Sequence, residues 1–426
     1  MLDIKFIRQN PEAIKKAIHD KRIDLDLDKL LAVDERRRHV LMEFEKLRAE
    51  QNKKSAEKLS PEQISELKSV KEKIKILSDE LDLVEKEFNE LLLKVPNIPS
   101  DDTPIGPDEN SNKVLRQVGK LLRFEFQPKE HWELGHVLDI IDTERAAKVS
   151  GARFAYMKGG LVLMEFALMQ YGLSVLTDQK ILKNIIKKAK LGISDTPFIP
   201  VLPPVFIKSD VFQKMGRLEP KEERYYIPSD DLYLIGSAEH TLGSMHMDEL
   251  LPIDKLPLRY VGFSTAFRRE AGSYGKDMKG ILRVHQFDKL EMESFTLPED
   301  SYKEQDFIVA IQEYMVQELG LPYQVVSICT GDMGAPDARQ IDIETWMPGQ
   351  NKYRETHTSD LMTDYQSRRL GIKFKREDKY EFVHMNDATA FAGRTLIAIL
   401  ENYQTEKGTV KIPKVLQRYM GIKEIK

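Results

Sequence analysis

Between Leu67 and Val95 the apolar residues fall at Leu67, Val70, Ile74, Leu77, Leu81, Val84, Phe88, Leu91 and Val95, in alternating steps of three and four. That spacing lays a narrow apolar stripe along one long helix, and such a stripe is satisfied only by a second helix. The partner lies upstream, where Leu30, Val33, Val40, Phe44 and Leu47 keep a weaker form of the rhythm, broken at Arg37 and Gln51. Ser60-Pro61 supplies a helix stop followed by a proline-started helix. The expectation is an antiparallel two-helix coiled-coil arm, on the order of 45 Å long for helices of roughly 30 residues. Its basic residues Lys46, Arg48, Lys53, Lys54, Lys58, Lys68, Lys71, Lys73 and Lys75 gather toward the turn, and acids such as Asp79, Glu80, Glu85 and Glu87 dominate the other end. A solvated helical face can carry such charges. A basic tip on a projecting rod also suits a phosphate backbone, because each Lys or Arg there displaces a counterion.

The stretch VPNIPSDDTPIGPDEN cannot continue a helix, since it holds Pro96, Pro99, Pro104 and Pro107, and it reads as a linker. We therefore expect residues 1–105 to form the arm-bearing domain and 106–426 a second domain. In the latter, strand-like stretches (VLPPVFI, PLRYVGFSTAF, ILRVHQFDKLEME, YQVVSI) alternate with helical ones (LVLMEFALMQYGLSVL, QDFIVAIQEYMVQEL, GRTLIAILENY), which indicates an α+β domain with antiparallel hairpins. The net charge of −4 gives no global basic field, so any nucleic-acid contact must rest on a local patch. The single cysteine, Cys329, placed in a predicted strand and assigned to the core, excludes an internal disulfide and a cysteine-rich zinc site. It fits a reducing compartment, with cytoplasm as the default. The first ten residues lack a signal-peptide core and no apolar run reaches the roughly 20 residues of a membrane span, so neither secretion nor a membrane partner is expected.

The densest chemistry lies in Phe263-Ser-Thr-Ala-Phe-Arg-Arg-Glu270, the glycine-containing loop AGSYGKDMKG, and Ile281-Leu-Arg-Val-His-Gln-Phe-Asp-Lys-Leu-Glu-Met292. Read as strand, loop, strand, it places Arg268 and Glu270 on one face of the first strand. Arg283, His285, Phe287, Lys289 and Glu291 then share a face of the second. Unpaired charges of this kind are costly in a core. An exposed, charge-decorated sheet face is one reading; the floor of a site for a ligand with phosphates, a base and an ammonium group is the other.

This hairpin closely resembles the second signature motif of class II aminoacyl-tRNA synthetases, in its seryl form. GARFAYMKGG with VLPPVFI, including Pro203 and Pro204, is similar to the first, dimer-forming motif, and LYLIGSAEHTL to the seryl T-A-E segment. ICTGDMGAPDARQIDIETWMPGQNKYRETH is similar to the strands leading to the nucleotide loop, and GRTLIAILENYQ to the third motif. The resemblance spans nearly the whole chain and the arm itself is a seryl feature. It implies a class II antiparallel sheet surrounded by helices, a homodimer, and synthesis of seryl-tRNA from L-serine, ATP and tRNA(Ser), with tRNA(Sec) left open as a second substrate.

The resemblance also implies roles. Arg268 bridges the α-phosphate and the serine carboxylate, Glu270 accepts from the adenine amino group, Phe287 stacks on adenine, and Val284 meets the nucleotide through its backbone. Arg394 holds the γ-phosphate, Arg283 adds positive charge, and Arg269, Thr356 and His357 fall among the ATP-binding positions, with a surface or packing histidine as the competing reading for His357. Glu355 and Thr358 fall on the positions that carry Mg2+, an ion that prefers oxygen ligands. Ser237, Ala238 and Glu239 occupy the T-A-E positions, and Glu291 the carboxylate that reads the serine ammonium and hydroxyl. Ser237 stands in place of threonine. The run Glu355-Thr-His-Thr-Ser-Asp-Leu361 departs from a serine-rich stretch ending in asparagine. In Asn386-Asp-Ala-Thr-Ala-Phe-Ala-Gly-Arg394 the serine contact falls on Ala388 or Thr389, and Thr389, which alone has a hydroxyl, is assigned. His240 and His246 lack partners at zinc spacing and are not assigned as ligands. Two rival readings are a paralogue that loads a carrier protein, which would lack the arm, and a non-catalytic scaffold, which would have lost Arg268, Glu291 or Arg394.

Overall fold

The computed structural model describes residues 1–54, 61–271 and 279–426, so the Ser60 stop, Lys58, the Lys54 side chain and the loop 272–278 lie outside the described residues. The chain divides into two compact units, Met1–Ile98 and Pro99–Lys426.

In the first unit, α1 (Leu27–Lys54) and α2 (Pro61–Lys94) form the arm, and two short helices, Ile4–Gln9 and Pro11–Asp20, close its base. Leu30, Val33, Val84, Phe88 and Val95 are buried with Ile7 and Ile14. The buried residue near the end of α2 is Leu92, and Leu91 is only partly covered. The seam there runs 84, 88, 92, 95, because a helix free of supercoiling drifts from a 3.5 to a 3.6 period as the pair widens into a four-helix core. Arg37, which interrupts the apolar rhythm, sits in the seam: its guanidinium lies 4.5 Å from the Phe88 ring centre and donates to Asp34 at 3.2 Å. Asp34 is fully buried and also meets Arg8 and Arg38 at 3.5 and 3.1 Å.

The second unit is built on eight strands: β1 (Lys113–Val118), β2 (Ile199–Val201), β3 (Leu258–Phe267), β4 (Gln286–Thr296), β5 (Tyr323–Ser327), β6 (Arg339–Met347), β7 (Lys352–Thr363) and β8 (His384–Ala392). Their order is β1-β5-β6-β7-β8-β4-β3-β2. All neighbours are antiparallel except β2 and β3, which run parallel at the edge. VLPPVFI is not one strand, because Pro203 and Pro204 separate β2 from a short strand Phe206–Lys208 in another sheet. Cys329 is buried but lies two residues past the end of β5.

One face of the sheet is covered by α3 (Gly160–Leu176), α4 (Ser301–Glu318) and α5 (Gly393–Asn402), with Leu168, Leu290, Met292, Phe307, Ile311, Phe391 and Ile397 in the core between. The fit at Gly172 is close: a Cβ there would come within 2.6 Å of Leu290 and 3.0 Å of Phe391. Register shifts at Leu290/Glu291 against β8 and at Ile343/Glu344 against β7 make Ala390 and Thr356 extra residues in their ladders. Bulges of this kind bend strands and re-aim side chains. Two buried amides of α4 serve carbonyls of the sheet: Gln312 Nε2, near both bulges, donates to the carbonyls of Thr358 and Thr389 at 2.9 and 2.8 Å, and Gln305 Nε2 to those of Arg339 and Ser359 at 3.0 and 2.8 Å. The opposite face is left for the cleft. No single described helix is long and apolar enough to cross a membrane.

Candidate active site

The β3–β4 hairpin differs from its sequence reading at the mouth. β3 ends at Phe267 and β4 begins only at Gln286, so Arg268, Glu270, Arg283, Val284 and His285 are not strand residues. The mouth is closed by two hydrogen bonds between the same pair of residues: Arg268 N donates to His285 O at 3.0 Å, and His285 Nδ1 lies 2.9 Å from Arg268 O. Glu270 adopts the left-handed region (φ 51°), which turns the chain and returns its side chain to the cleft.

The cleft has two recesses. The smaller, about 90 Å³, is bordered by Arg268, Glu270, Val284, Phe287, Thr356 and Arg394. The larger, about 560 Å³, is bordered by Arg217, Glu239, Glu291, Thr358 and Asp387. Arg268, Glu270, Arg283, Lys289, Glu355 and Thr389 border both, so the recesses are continuous.

In the smaller recess the Arg268 guanidinium lies 5.4 Å from the Phe287 ring centre, and its Nε donates to Gly236 O at 3.2 Å. Arg283 pairs with Glu270 at 3.6 Å. Arg394, in the first turn of α5, reaches Glu355 at 3.0 Å through the carboxylate and at 3.2 Å through the backbone carbonyl. Desolvation works to raise the Glu355 carboxyl, but the Arg394 guanidinium prevails and holds it below the usual range. Thr358 Oγ1 donates to Asp342 at 2.9 Å. Asp342 is buried next to Glu355, and both effects push its carboxyl well above the usual range.

In the larger recess Lys289 Nζ meets Glu291 at 2.8 Å and donates to Ser237 Oγ at 3.2 Å. Burial raises the Glu291 carboxyl. Burial would also raise Glu239, yet Arg217, whose Nε reaches Glu239 Oε1 at 2.7 Å, holds it at about 2. Thr389 lies opposite Glu291 in the β4–β8 ladder and borders the cleft, whereas Ala388 belongs to the core on the other side. Oxygens of Glu239, Glu291 and Asp387 lie within 4.8 Å of one another, a set that attracts a cation, and Arg217 and Lys289 set positive charge against it.

Not every predicted residue reaches the cleft. His357 is fully buried, packed edge-on to Phe391 at 5.8 Å with Nδ1 2.9 Å from Thr356 Oγ1. The bulge at Thr356 turns it to the packed face, and burial lowers its pKa to about 4. Arg269 is exposed, its guanidinium 5.8 Å from the Tyr225 ring centre. Ala238 is buried in a satellite core, and Ser237 stands behind Lys289. His240 borders the larger recess with its ring stacked on Phe212 at 4.4 Å, whereas His246 lies 2.8 Å from Glu249 and 2.9 Å from the Tyr260 hydroxyl. Conversely, Arg217, Arg224, Gln340, Asp360 and Asp387 border the larger recess without having been singled out for it. Asp360 and Asp387 fall within the two stretches that depart from the seryl pattern; Arg217 and Arg224 carry no local signal.

Residues 1–99 match the family described as seryl-tRNA synthetase N-terminal domain, and residues 224–403 match the tRNA synthetase class II core domain (G, H, P, S and T). The chain is 40% identical to the serine–tRNA ligase of Thermodesulfovibrio yellowstonii over 441 aligned positions covering 100% of both chains. It is 42% identical to that of Dictyoglomus turgidum, covering 100% of this chain and 99% of the relative. The chain belongs to the seryl-tRNA synthetase family. A seryl-tRNA synthetase from Pyrococcus horikoshii, solved with ATP, superposes with a TM-score of 0.88 at 39% identity over 100% of this chain and 99% of that one. A cytoplasmic serine–tRNA ligase from Naegleria fowleri, solved with AMP, gives a TM-score of 0.83 at 32% identity with the same coverage. Seryl-tRNA synthetase membership accounts for both units: the arm belongs to the N-terminal family, and the cleft lies on the class II sheet.

Proposed function

We propose that the cleft activates L-serine with ATP and passes the seryl group to tRNA(Ser). The observation that carries the reading is the shared position of Arg268, which borders both the aromatic, cationic recess and the acidic one. A guanidinium fork there can hold the α-phosphate and the serine carboxylate, two anions that would otherwise repel. Phe287 stacks on the adenine, Glu270 accepts from its amino group, and Arg394 and Arg283 neutralise the phosphates. Glu239, ionised, and Glu291 receive the serine ammonium, with Thr389 close to the hydroxyl. The serine carboxylate attacks the α-phosphorus in line; an O–P bond forms, the bond to the β-phosphate oxygen breaks, and pyrophosphate leaves. The nucleophile is already ionised, so no general base is required for this step. The hard oxygen set of Glu355 and Thr358, with Asp342 behind it, fits a magnesium ion, which when bound supplies positive charge to the phosphates.

The described lysines and arginines toward the arm's turn, Lys46, Arg48, Lys53, Lys68, Lys71, Lys73 and Lys75, are exposed and form the surface for tRNA. The enzyme works as a cytoplasmic homodimer. The test is pyrophosphate exchange with each amino acid, followed by aminoacylation of total tRNA. Serine alone should drive exchange; exchange driven by another amino acid instead would refute the reading. Removal of residues 40–82 should leave exchange intact and abolish charging, and equal loss of both would take the arm out of tRNA recognition.

A further inference from the structure

Arg217 follows the helix Ser209–Met215 in a loop that no motif marks, yet it is the hub of the larger recess. Its Nε donates to Glu239 at 2.7 Å, and its Nη2 reaches Asp337, Asp360 and Asp387 at 3.0, 3.2 and 3.4 Å. The four carboxylates come from four separate parts of the chain: a short helix, the loop before β6, β7 and β8. Their side chains are at most 9% exposed, and that of Arg217 is 15% exposed. The backbone carbonyl of Arg217 accepts from Arg224 Nη2 at 2.8 Å, which fixes the loop.

From this geometry we infer that Arg217 is a positioning residue for amino-acid recognition: it fixes the Glu239 carboxylate with one oxygen tied back and the other offered to the substrate ammonium. The inference rests on the reading of the recess as the serine site. Among the described residues, both hydrogen bonds to the Glu239 carboxylate land on the same atom, Oε1, one from Arg217 and a longer one of 3.4 Å from Gln366. Glu239 therefore has little rotational freedom, and Oε2 is the atom that remains for a ligand. Of the four carboxylates on Arg217, Glu239 takes the shortest contact, 2.7 Å against 3.0, 3.2 and 3.4 Å for Asp337, Asp360 and Asp387, and it stays ionised there. Asp360 and Asp387 also lie in the two stretches that depart from the seryl pattern, and the structure brings both departures to this one guanidinium.

The test compares Arg217→Gln with the wild type in serine-dependent pyrophosphate exchange, with folding followed by thermal melting. The KM for serine should rise ~30-fold or more, as expected when a buried charge loses its hydrogen-bonded partner, with the KM for ATP little changed. Arg217→Lys, which keeps the charge and loses the fork, should fall between. A folded Arg217→Gln with an unchanged KM for serine overturns the inference. Should that variant not fold, Arg217→Gln/Asp360→Asn/Asp387→Asn lessens the charge imbalance, leaving Glu239 and Asp337 as the carboxylates at the hub. Its KM for serine should still exceed that of the Asp360→Asn/Asp387→Asn pair, and equal values overturn the inference. Glu239→Gln separates the two readings: if it leaves serine use intact, the assignment of the recess itself fails.

Discussion

The two faces of the eight-stranded sheet each bury an arginine among carboxylates, and they do so differently. On the packed face Arg259 meets Glu304 through two donors at 2.6 and 2.7 Å, with both side chains fully buried. Its Nη1 donates to the carbonyls of Ser194 and Thr196, and the Ser294 hydroxyl adds a bond to Glu304 at 2.7 Å. One cation faces one anion, and the planar fork is used in full. On the cleft face one guanidinium, Arg217, faces four carboxylates. Beside them Glu293, fully buried on β4, has no hydrogen-bond partner on either carboxylate oxygen among the described residues. Burial and the neighbouring acids push its carboxyl well above the usual range. A matched pair holds the fold together, whereas an excess of acid left beside an opening is an arrangement that a cationic group can complete.

The sharpest break of this comparison is Arg268→Ala. It removes a cleft-face charge that no packed-face residue can replace, and it should slow pyrophosphate exchange at least ~10³-fold, about 4 kcal/mol of transition-state stabilisation. Its melting temperature should stay near that of the wild type. An exchange rate within a few-fold of wild type would take Arg268 out of the mechanism. Glu304→Gln should do the reverse. It leaves Arg259 buried without its counter-ion and should lower the unfolding free energy by ~3 kcal/mol, read by denaturant titration, while the exchange rate of the folded enzyme is unaffected. Loss of exchange without loss of stability would mean that the two faces are not separable in this way.

The contrast also explains what could be read in advance. The packed face was legible because its signals are local: the apolar runs within α3, α4 and α5 and the apolar residues of β3 mark burial in the sequence itself. The cleft was legible only where the chemistry is strung along one segment, as from Arg268 to Glu291. Even there, residues 281–285 alternate like a strand while their backbone bonds go elsewhere: Ile281 N donates to His131 Nε2 at 3.2 Å and His285 N to Arg153 O at 3.0 Å. Alternation cannot reveal which partner a backbone amide finds. Arg217 was silent for a related reason, since its four partners are separated from it by 22 to 170 residues in the chain. His357 was misplaced by one extra residue, because the Thr356 bulge shifts the phase of β7 and such a shift leaves no mark in the alternation.

That last residue supplies the smallest test. Burial holds His357 neutral with a pKa of about 4, against an ordinary value of 6.5 in the unfolded chain. Above pH 6.5 both states carry the neutral ring and nothing is lost. Between pH 6.5 and 4 the unfolded state takes up a proton that the folded state refuses, so stability falls as pH falls, by about 1.4 kcal/mol per pH unit at most. Below about pH 4 the folded state protonates too and the loss levels off. Other buried groups titrate in this range with either sign: Glu165, raised to about 7 by burial, favours the fold as pH falls. The informative quantity is therefore the difference between the wild type and His357→Gln, measured by denaturant unfolding at pH 7, 6, 5 and 4. The wild type should lose stability relative to the variant across that series, and a difference that stays flat would place the imidazole in contact with water, on the cleft side of the sheet.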